Sequence, residues 1–450
     1  GSLRVRQDYL IAEGLLSPYV QGDEQAAEVE AMALARIRQL SAHEVGHTLG
    51  LSHNYISSAQ GRASVMDYPH PLVQLDEEGE IDLSEAYDTG IGAWDKVTIA
   101  YGYQDFPQGT DEARALDAII ADARSEGITF ITDQDARPAG SAHPQVHLWD
   151  NGSDAATELD RMMAVRRVAL DRFGEEAIRS GMPMATMEEA LVPLYLHHRY
   201  QVEAAIKVVG GLEYTYALRG DGQRPLRPVS SEAQSRALAS VIATLDPEAL
   251  AIPESVLSSL PPRPAGFGPH RELFPRYTGL VFDAITPSVV ASSTVLGFLL
   301  HPERAARLVQ QHARDEEQLG LTQVFHELFQ LFESEPESGY HAEINRATQG
   351  VIVAAVMGLA TGAEMPQVRA EANLALSGLS EALTGRLEQA SGADRAHYLM
   401  VVEEIERWKD RPMEPRPAPG YPDAPPGSPI GSEAMDWATL SCSFTPLTWR

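Results

Sequence analysis

The chain of 450 residues has little cysteine, little positive charge and no long apolar run. Its single cysteine, Cys442, cannot form an intrachain disulfide, which excludes a small secreted module stapled by disulfides. Lys and Arg number 35 against 64 Asp and Glu, giving a net charge of −29. Phosphate recognition needs clustered basic residues, so nucleic acids and anionic membrane surfaces are poor partners. No stretch of about 18 apolar residues is present to predict a membrane span.

The pattern of the remaining residues predicts a mainly α-helical protein with few short strands. Hydrophobic residues make up 44% of the chain, enough for a sizeable core. Residues 24–51 are rich in Ala and free of Pro, and an apolar stripe at helical spacing runs through Leu34, Ile37, Leu40 and Val45, which predicts one long helix. Most segments after residue 110 also have helical character. Val73–Leu75 and Ile81–Leu83 flank a turn and predict a hairpin. Residues 411–431 are rich in Pro and Gly. We therefore expect three parts, residues 1–110, 111–410 and a tail at 411–450.

The segment HEVGHTLGLSH, residues 43–53, carries the clearest chemical information in the sequence. On a helix His43 and His47 lie about 40° apart in azimuth and about 6 Å apart in rise, so both imidazoles can reach one cation. Glu44 follows the first histidine and so lies beside such a cation, where a general base could take a proton from water. The spacing therefore predicts a metal site with a catalytic carboxylate next to it.

A third histidine, His53, completes the predicted ligand set only if the chain turns. A continuous helix would carry His53 about 15 Å beyond His43, too far to share an ion. Gly50 can supply the turn, because glycine adopts positive φ without steric cost. Three neutral imidazoles with one open position are typical of a catalytic zinc site, with one zinc ion per chain.

Just beyond the third histidine lies SVMDY, residues 64–68, and the extended histidine motif followed by a Met-centred turn resembles the metzincin zinc peptidases. That resemblance implies that Met66 forms an apolar floor under the ligands and that Tyr68 reaches the metal or stabilises the oxyanion. The segment AWDKVTIAYG, residues 93–102, is similar to the helix that follows the Met-turn in several metzincin branches. The resemblance implies that Asp95 accepts hydrogen bonds from the turn.

More widely, the chain resembles a family of large bacterial zinc-dependent metalloproteases, through residues 42–51 and through TDQDARP at 132–138 and WDNGSD at 149–154. Those proteins usually carry export signals, which implies an extracellular or periplasmic location. The chain begins with Gly1 and Ser2 rather than Met, and we expect it to be a piece of a longer protein.

The other histidines are expected to have no part in the metal site. His70 is expected to be a loop residue, and so are His143 and His147, since Pro144 disfavours a helical conformation for the residue before it. The adjacent pair at 197 and 198 would point about 100° apart on a helix and could not share an ion.

The expected function is zinc-dependent hydrolysis of peptide bonds in a protein or peptide substrate. A non-catalytic interaction protein that keeps a structural zinc is the alternative, and Glu44 is the feature that favours catalysis. In metzincins a twisted sheet precedes the active-site helix, whereas here only the stretch from Leu3 to Tyr9 could form a strand before His43. We therefore expect a metzincin-like lower catalytic subdomain, fused to a helical region, that binds zinc but cleaves peptides weakly or not at all.

Overall fold

The computed structural model of the protein describes residues 2–19, 27–333 and 338–410, and these residues are mainly helical. Cys442 and the Pro-rich tail lie outside the described residues. The helices, in chain order, are α1 Ser2–Leu16, α2 Ala27–Thr48, α3 Ala93–Tyr103, α4 Glu112–Ser125, α5 Asp133–Ala136, α6 Ala155–Arg172, α7 Met187–Tyr195, α8 Arg199–Val208, α9 Ser231–Ala243, α10 Pro247–Leu250, α11 Glu254–Leu257, α12 Thr286–Leu299, α13 Pro302–Arg314, α14 Leu321–Phe329, α15 Tyr340–Gly362, α16 Pro366–Arg386 and α17 Gly392–Asp410.

The strands of the described residues form two small antiparallel hairpins. Strands β1 Gln74–Leu75 and β2 Ile81–Asp82 form the hairpin expected from the sequence, with Leu75 opposite Ile81. Strands β3 Leu212–Tyr214 and β4 Leu226–Pro228 form the second hairpin. The prediction of a mainly helical fold with few short strands is confirmed.

The segment before the long helix differs from the expectation. The stretch from Leu3 to Tyr9, the one candidate strand in front of His43, lies inside helix α1. This helix packs against α2 and α7, and its inward residues Ile11, Ala12 and Leu15 are buried. These three residues are one, three and four positions apart, which is the spacing of one face of a helix. Packing of that face on the core stabilises a helix here instead of a strand.

The core is divided into two large clusters and a small one. One large cluster fills the space between the helices from α8 to α17, and the other lies around α1, α6 and α7. The small cluster consists of Tyr55, Ile56, Ile131, Ala136, Val146 and Leu148. It joins the loop after α2 to α5 and to the irregular segment before α6, and it lies directly beside the three histidines of the motif. No helix among the described residues has the length and apolarity to cross a lipid bilayer.

Helix α2 exposes much of its apolar stripe instead of burying it. The side chains of Leu34, Ile37 and Val45 are 42%, 42% and 57% exposed, whereas Met32 and His43 are buried. The stripe that identifies the helix in the sequence is therefore not the face that packs on the core. The buried face carries the first histidine, which holds the metal motif against the body of the protein.

Candidate metal centre

Helix α2 ends in a turn that brings the third histidine back toward the first two. Gly50 has φ of +81°, and its N–H donates to the carbonyl of His47 at 2.9 Å. The N–H of Leu51 donates to the carbonyl of Gly46 at 3.0 Å. Together these bonds form a Schellman termination with glycine at the left-handed position. The chain reverses there, and His53 returns to the end of the helix.

The structure brings His43, His47 and His53 together at the end of α2. One nitrogen from each ring lies within 4.8 Å of the other two. The ring centroids are 4.7 Å apart for His43 and His47, 5.2 Å for His43 and His53, and 4.7 Å for His47 and His53. His43 is buried, His53 is half-buried and His47 is exposed, so the cluster opens to solvent on one side.

Each of the three rings uses its Nδ1 atom to bind an oxygen acceptor. Nδ1 of His43 lies 2.7 Å from the carbonyl oxygen of Val65, and Nδ1 of His47 lies 3.0 Å from that of Leu51. Nδ1 of His53 lies 2.9 Å from a carboxylate oxygen of Asp133. A carbonyl or carboxylate oxygen only accepts, so Nδ1 carries the hydrogen in every ring. Each neutral ring then presents the lone pair of Nε2 to the space between the histidines.

The arrangement of the Nε2 atoms fits a zinc ion. Nε2 of His43 is buried without a hydrogen-bond partner among the described residues, and Nε2 of His47 lies 3.1 Å from Nε2 of His53. Two nitrogen lone pairs facing each other at that distance repel unless a cation lies near both. Imidazole ligands about 2.1 Å from a tetrahedral zinc ion are about 3.4 Å apart, close to this separation. Burial lowers the pKa of His43 to about 4, which keeps its ring neutral, as a metal ligand must be.

Tyr68 packs against two of the histidines, and Glu44 is near enough to Tyr68 for its charge to act on it. Glu44 is exposed beside His43, and its negative charge acts on the hydroxyl of Tyr68. The Tyr68 ring lies 5.0 Å from the His43 ring and 4.9 Å from the His53 ring. Burial raises the pKa of Tyr68, with the nearby Arg137 guanidinium acting in the opposite direction. Its hydroxyl therefore stays protonated near neutral pH and is able to donate a hydrogen bond.

The segment around Met66 lies under the first half of the histidine motif. Met66 is fully buried, and a Cβ atom at Gly46 would lie 2.2 Å from its sulfur. The carbonyl of Val65 accepts from Nδ1 of His43 and, at 3.2 Å, from the side-chain amide of Gln39. The residue before Met66 is thus bonded to two side chains on the buried face of α2.

Asp95, on helix α3, holds the Met66 loop in place by hydrogen bonds. The carboxylate of Asp95 accepts from the hydroxyl of Ser64 at 2.5 Å, from the N–H of Val65 at 2.8 Å and from the N–H of Gly92 at 2.7 Å. Its side chain is 1% exposed. A buried carboxylate with three donors is well compensated, so α3 and the Met66 loop form one rigid support.

Several residues of the site could not be identified from spacing. Asp133 and Arg137 lie about 80 residues after the histidine motif, and Tyr55 and Trp149 come from two further segments. Trp149 has φ of +61°, an uncommon conformation for a bulky residue, and its ring stacks on Tyr68 at 6.1 Å with 11° between the planes. The only indication in the sequence is that Asp133, Arg137 and Trp149 lie in TDQDARP and WDNGSD, two segments that carry the family resemblance.

The remaining histidines singled out in the sequence lie outside the triad. His70, His143 and His147 lie in irregular segments and are buried. The His70 ring lies 4.9 Å from that of His197, and His143 is held by the carbonyl of Tyr214 at 3.1 Å. Among the described residues, the three histidines at 43, 47 and 53 form the one group of acidic, histidine or cysteine side chains close enough to share a metal ion.

A helix and the turn after it thus bring together three histidines that could hold one metal ion. The protein's sequence matches the Met-zincin family over residues 25–339, well over half of the chain, and the protein is therefore a member of that family. Comparison with curated proteins gives no match, and comparison with solved structures gives none either.

Proposed function

We propose that this protein is a zinc-dependent endopeptidase with its catalytic centre at His43, His47 and His53. The convergence of three Nε2 atoms, each with its Nδ1 atom bound to an oxygen acceptor, carries the proposal. Membership of the Met-zincin family supports zinc as the metal and a peptide as the substrate class. We place the site in a lower catalytic subdomain made of α2, the turn at Met66 and α3, within residues 1–110, followed by a helical region at 111–410.

Glu44 is the proposed general base. Zinc in this site would supply a Lewis acid that makes water acidic near neutral pH and polarises the substrate carbonyl. Glu44 would take the proton from the attacking water and later give it to the leaving amine. Its carboxylate makes no ion pair or hydrogen bond with the described residues, and it is exposed at the mouth of the site. A carboxylate that is not already committed to a partner suits this role.

Tyr68 is the proposed donor to the carbonyl oxygen as that oxygen becomes negative. Its ring contacts two of the proposed ligands, and its hydroxyl stays neutral near pH 7, since a tyrosine pKa is far above that pH and burial raises it further. Trp149 stacks on the Tyr68 ring, and the backbone N–H of Trp149 donates to the backbone carbonyl of Tyr68 at 2.7 Å. These contacts hold the hydroxyl in position, as stabilisation of a developing charge requires.

We expect poor alignment of the peptide substrate to limit the rate of cleavage. The four strands of the described residues are two or three residues long, and they form hairpins rather than an extended edge. A peptide has no long edge strand to pair with there, and misplacement of its carbonyl by about 1 Å can cost roughly 100-fold in rate. We expect slow cleavage of peptides and easier hydrolysis of small activated esters. We also propose an extracellular or periplasmic location, on the family resemblance alone.

The test compares the wild-type chain with Glu44→Gln and with Glu30→Gln, an exposed glutamate on the same helix. At equal zinc occupancy, Glu44→Gln should lower the hydrolysis rate of peptide and ester substrates at least about 100-fold, and Glu30→Gln should not change it. Equal rates for all three proteins, or no zinc-dependent hydrolysis of either substrate, would contradict the proposed reaction and favour a non-catalytic interaction protein with a structural zinc.

Tyr68→Phe tests the oxyanion role separately. It keeps the ring against the histidines and removes only the hydroxyl. Loss of one such donor lowers kcat by about 100-fold or more where the donor acts in the transition state. The expected result is a lower kcat with unchanged zinc affinity. An unchanged kcat would assign Tyr68 to packing.

A further inference from the structure

We propose that Asp133 is the residue that positions His53 for metal binding, and that Arg137 fixes Asp133 and connects it to Tyr68. This inference rests on the proposed function, since it concerns the orientation of a proposed zinc ligand. It assigns a role to the segment TDQDARP, which lies 80 residues beyond the third histidine and outside the histidine motif.

His53 differs from the other two histidines in what holds it. The Nδ1 atoms of His43 and His47 bind backbone carbonyls of Val65 and Leu51, which the fold itself puts in place. His53 lies beyond the end of α2, and its Nδ1 atom binds a side chain, at 2.9 Å and 3.1 Å from the two carboxylate oxygens of Asp133. Only the third ligand therefore depends on another side chain for its orientation and tautomer.

The Asp133 carboxylate is held by several contacts of its own. Nε of Arg137 donates to it at 2.5 Å, and the hydroxyl of Thr132 donates at 3.1 Å. Asp133 begins the short helix α5 and Arg137 follows its last residue in a helical conformation, so the two side chains, four residues apart, point to the same side. A carboxylate that accepts from a ligating histidine orients the ring and makes its other nitrogen a better donor to the metal.

The backbone beneath this pair brings the distant segment to the site. The N–H of Tyr55 donates to the carbonyl of Ile131 at 2.9 Å, and the N–H of Ile131 donates to the side chain of Asn54 at 3.1 Å. The small core cluster packs below these bonds. The residues just after His53 are thus bonded to a residue just before Asp133, and the contact is built into the fold.

Arg137 extends the arrangement from the ligand to Tyr68. One of its terminal nitrogens donates to the hydroxyl of Tyr55 at 2.6 Å. Its guanidinium lies over the Tyr55 ring at 5.5 Å and over the Tyr68 ring at 5.6 Å. The same cation therefore holds the carboxylate behind His53 and contacts the proposed oxyanion donor, so that the ligand and the tyrosine keep a fixed relative position.

Asp135 provides a matched control two residues along the chain. Its carboxylate accepts from the hydroxyl of Tyr214 at 2.6 Å and from that of Tyr216, so it is held by tyrosines of a different segment and not by the triad. Asp133→Asn and Asp135→Asn each remove one negative charge from the same segment. Only the first removes the charge that faces a ligand.

The experiment measures the dissociation constant for zinc by competition with a chromophoric chelator, and the visible spectrum of the cobalt-substituted protein. Asp133→Asn should weaken zinc binding by about 10- to 100-fold and change the cobalt spectrum, whereas Asp135→Asn should leave both within about twofold of the wild type. Asp133→Glu, which keeps the charge on a longer side chain, should recover part of the lost affinity. Far-ultraviolet circular dichroism of the metal-free variants checks that the fold is retained.

Equal zinc affinities for Asp133→Asn, Asp135→Asn and the wild type would overturn the inference, and so would equal losses in the two variants. Failure of the proposed function would give a different result in the zinc-binding measurement. In that case His43→Ala with His47→Ala would bind zinc as well as the wild type does. If Asp133→Asn does not fold, the affinity of Asp133→Glu and the cobalt spectrum of Arg137→Lys decide, since a wild-type value in both would contradict the role of the pair.

Discussion

The sulfur of Met66 fills the space in which a side chain at Gly46 would lie. A Cβ atom built on Gly46 would be 2.2 Å from that sulfur and 3.3 Å from the terminal methyl carbon. Within α2, His43 and Gly46 are the two buried residues of the histidine motif, and Gly46 lies against the turn that contains Met66. The close approach of helix and methionine explains why a residue without a side chain stands between the first two proposed ligands.

Gly46→Ala is therefore expected to destabilise the protein although alanine favours helices. Alanine in a helix interior gains about 1 kcal/mol over glycine, whereas overpacking a filled core costs about 1–3 kcal/mol. Because the sulfur is in the middle of the side chain and the methionine is fully buried, the clash should dominate, with a net loss of up to about 2 kcal/mol. The free energy of unfolding from urea titration measures this.

The matched control is Gly378→Ala. Gly378 lies inside helix α16 and is exposed, and a Cβ atom added there would have no neighbouring atom within 4 Å. The control should gain up to about 1 kcal/mol from helix propensity alone. If both variants gain stability equally, Met66 does not press on the helix.

Asp95→Asn tests the support beneath the Met66 loop. The buried carboxylate accepts one hydrogen bond at Oδ1 and two at Oδ2, and in Asp95→Asn one of these oxygens becomes an amide nitrogen that cannot accept. Leaving a buried donor unsatisfied costs about 1–3 kcal/mol, so the variant should lose that much stability and bind zinc more weakly.

Asp111→Asn is the control for this change, because Asp111 caps helix α4 at an exposed position and Asn caps helices about as well. Thermal unfolding with and without zinc compares the two. A variant at Asp95 that is as stable as the control would show that α3 does not hold the loop.

A pH effect is expected at His143. Burial lowers its pKa to about 4, while its Nε2 donates to the carbonyl of Tyr214 and its Nδ1 accepts from the N–H of Gln145. The unfolded chain binds this proton at about pH 6.5 and the folded chain only near pH 4. The contribution of His143 to stability is thus fully present above about pH 6.5 and decreases as the pH falls toward 4.

The measurement compares the unfolding free energies of the wild type and His143→Gln between about pH 7.5 and about pH 4.5 in metal-free protein. The advantage of the wild type should shrink by up to about 1.4 kcal/mol per pH unit below about pH 6.5. A difference that is constant across this range would mean that His143 titrates normally in the folded protein.

The parts of the site that follow from local geometry could be predicted from the sequence. Helix periodicity alone brings His43 and His47 together, and Gly50 permits the return of His53. The contact between His53 and Asp133 could not be predicted, because it depends on how the loop after α2 packs on residues 129–137. No spacing rule connects residues 80 positions apart.

The fold shows the same limit. Helix α1 replaces the strand considered for Leu3 to Tyr9, and the sequence gives no clear signal for helix α12, since its β-branched and hydroxyl residues have weak helix propensity. Helix α1 buries one face in the core, and helix α12 buries most of its residues there. This packing outweighs the conformational preference of the local sequence. The long apolar stripe of α2 identifies a helix correctly and does not identify its buried face.

The metal centre at His43, His47 and His53 is tested by the zinc content of the protein and of a variant without two of the proposed ligands. Protein purified free of metal is titrated with zinc, and bound metal is measured by elemental analysis for the wild type, for His43→Ala with His47→Ala, and for His326→Ala, an exposed histidine outside the triad. We expect one tightly bound zinc per chain in the wild type and in His326→Ala, and loss of that site in the double variant. Undiminished zinc binding by the double variant would contradict the proposed site.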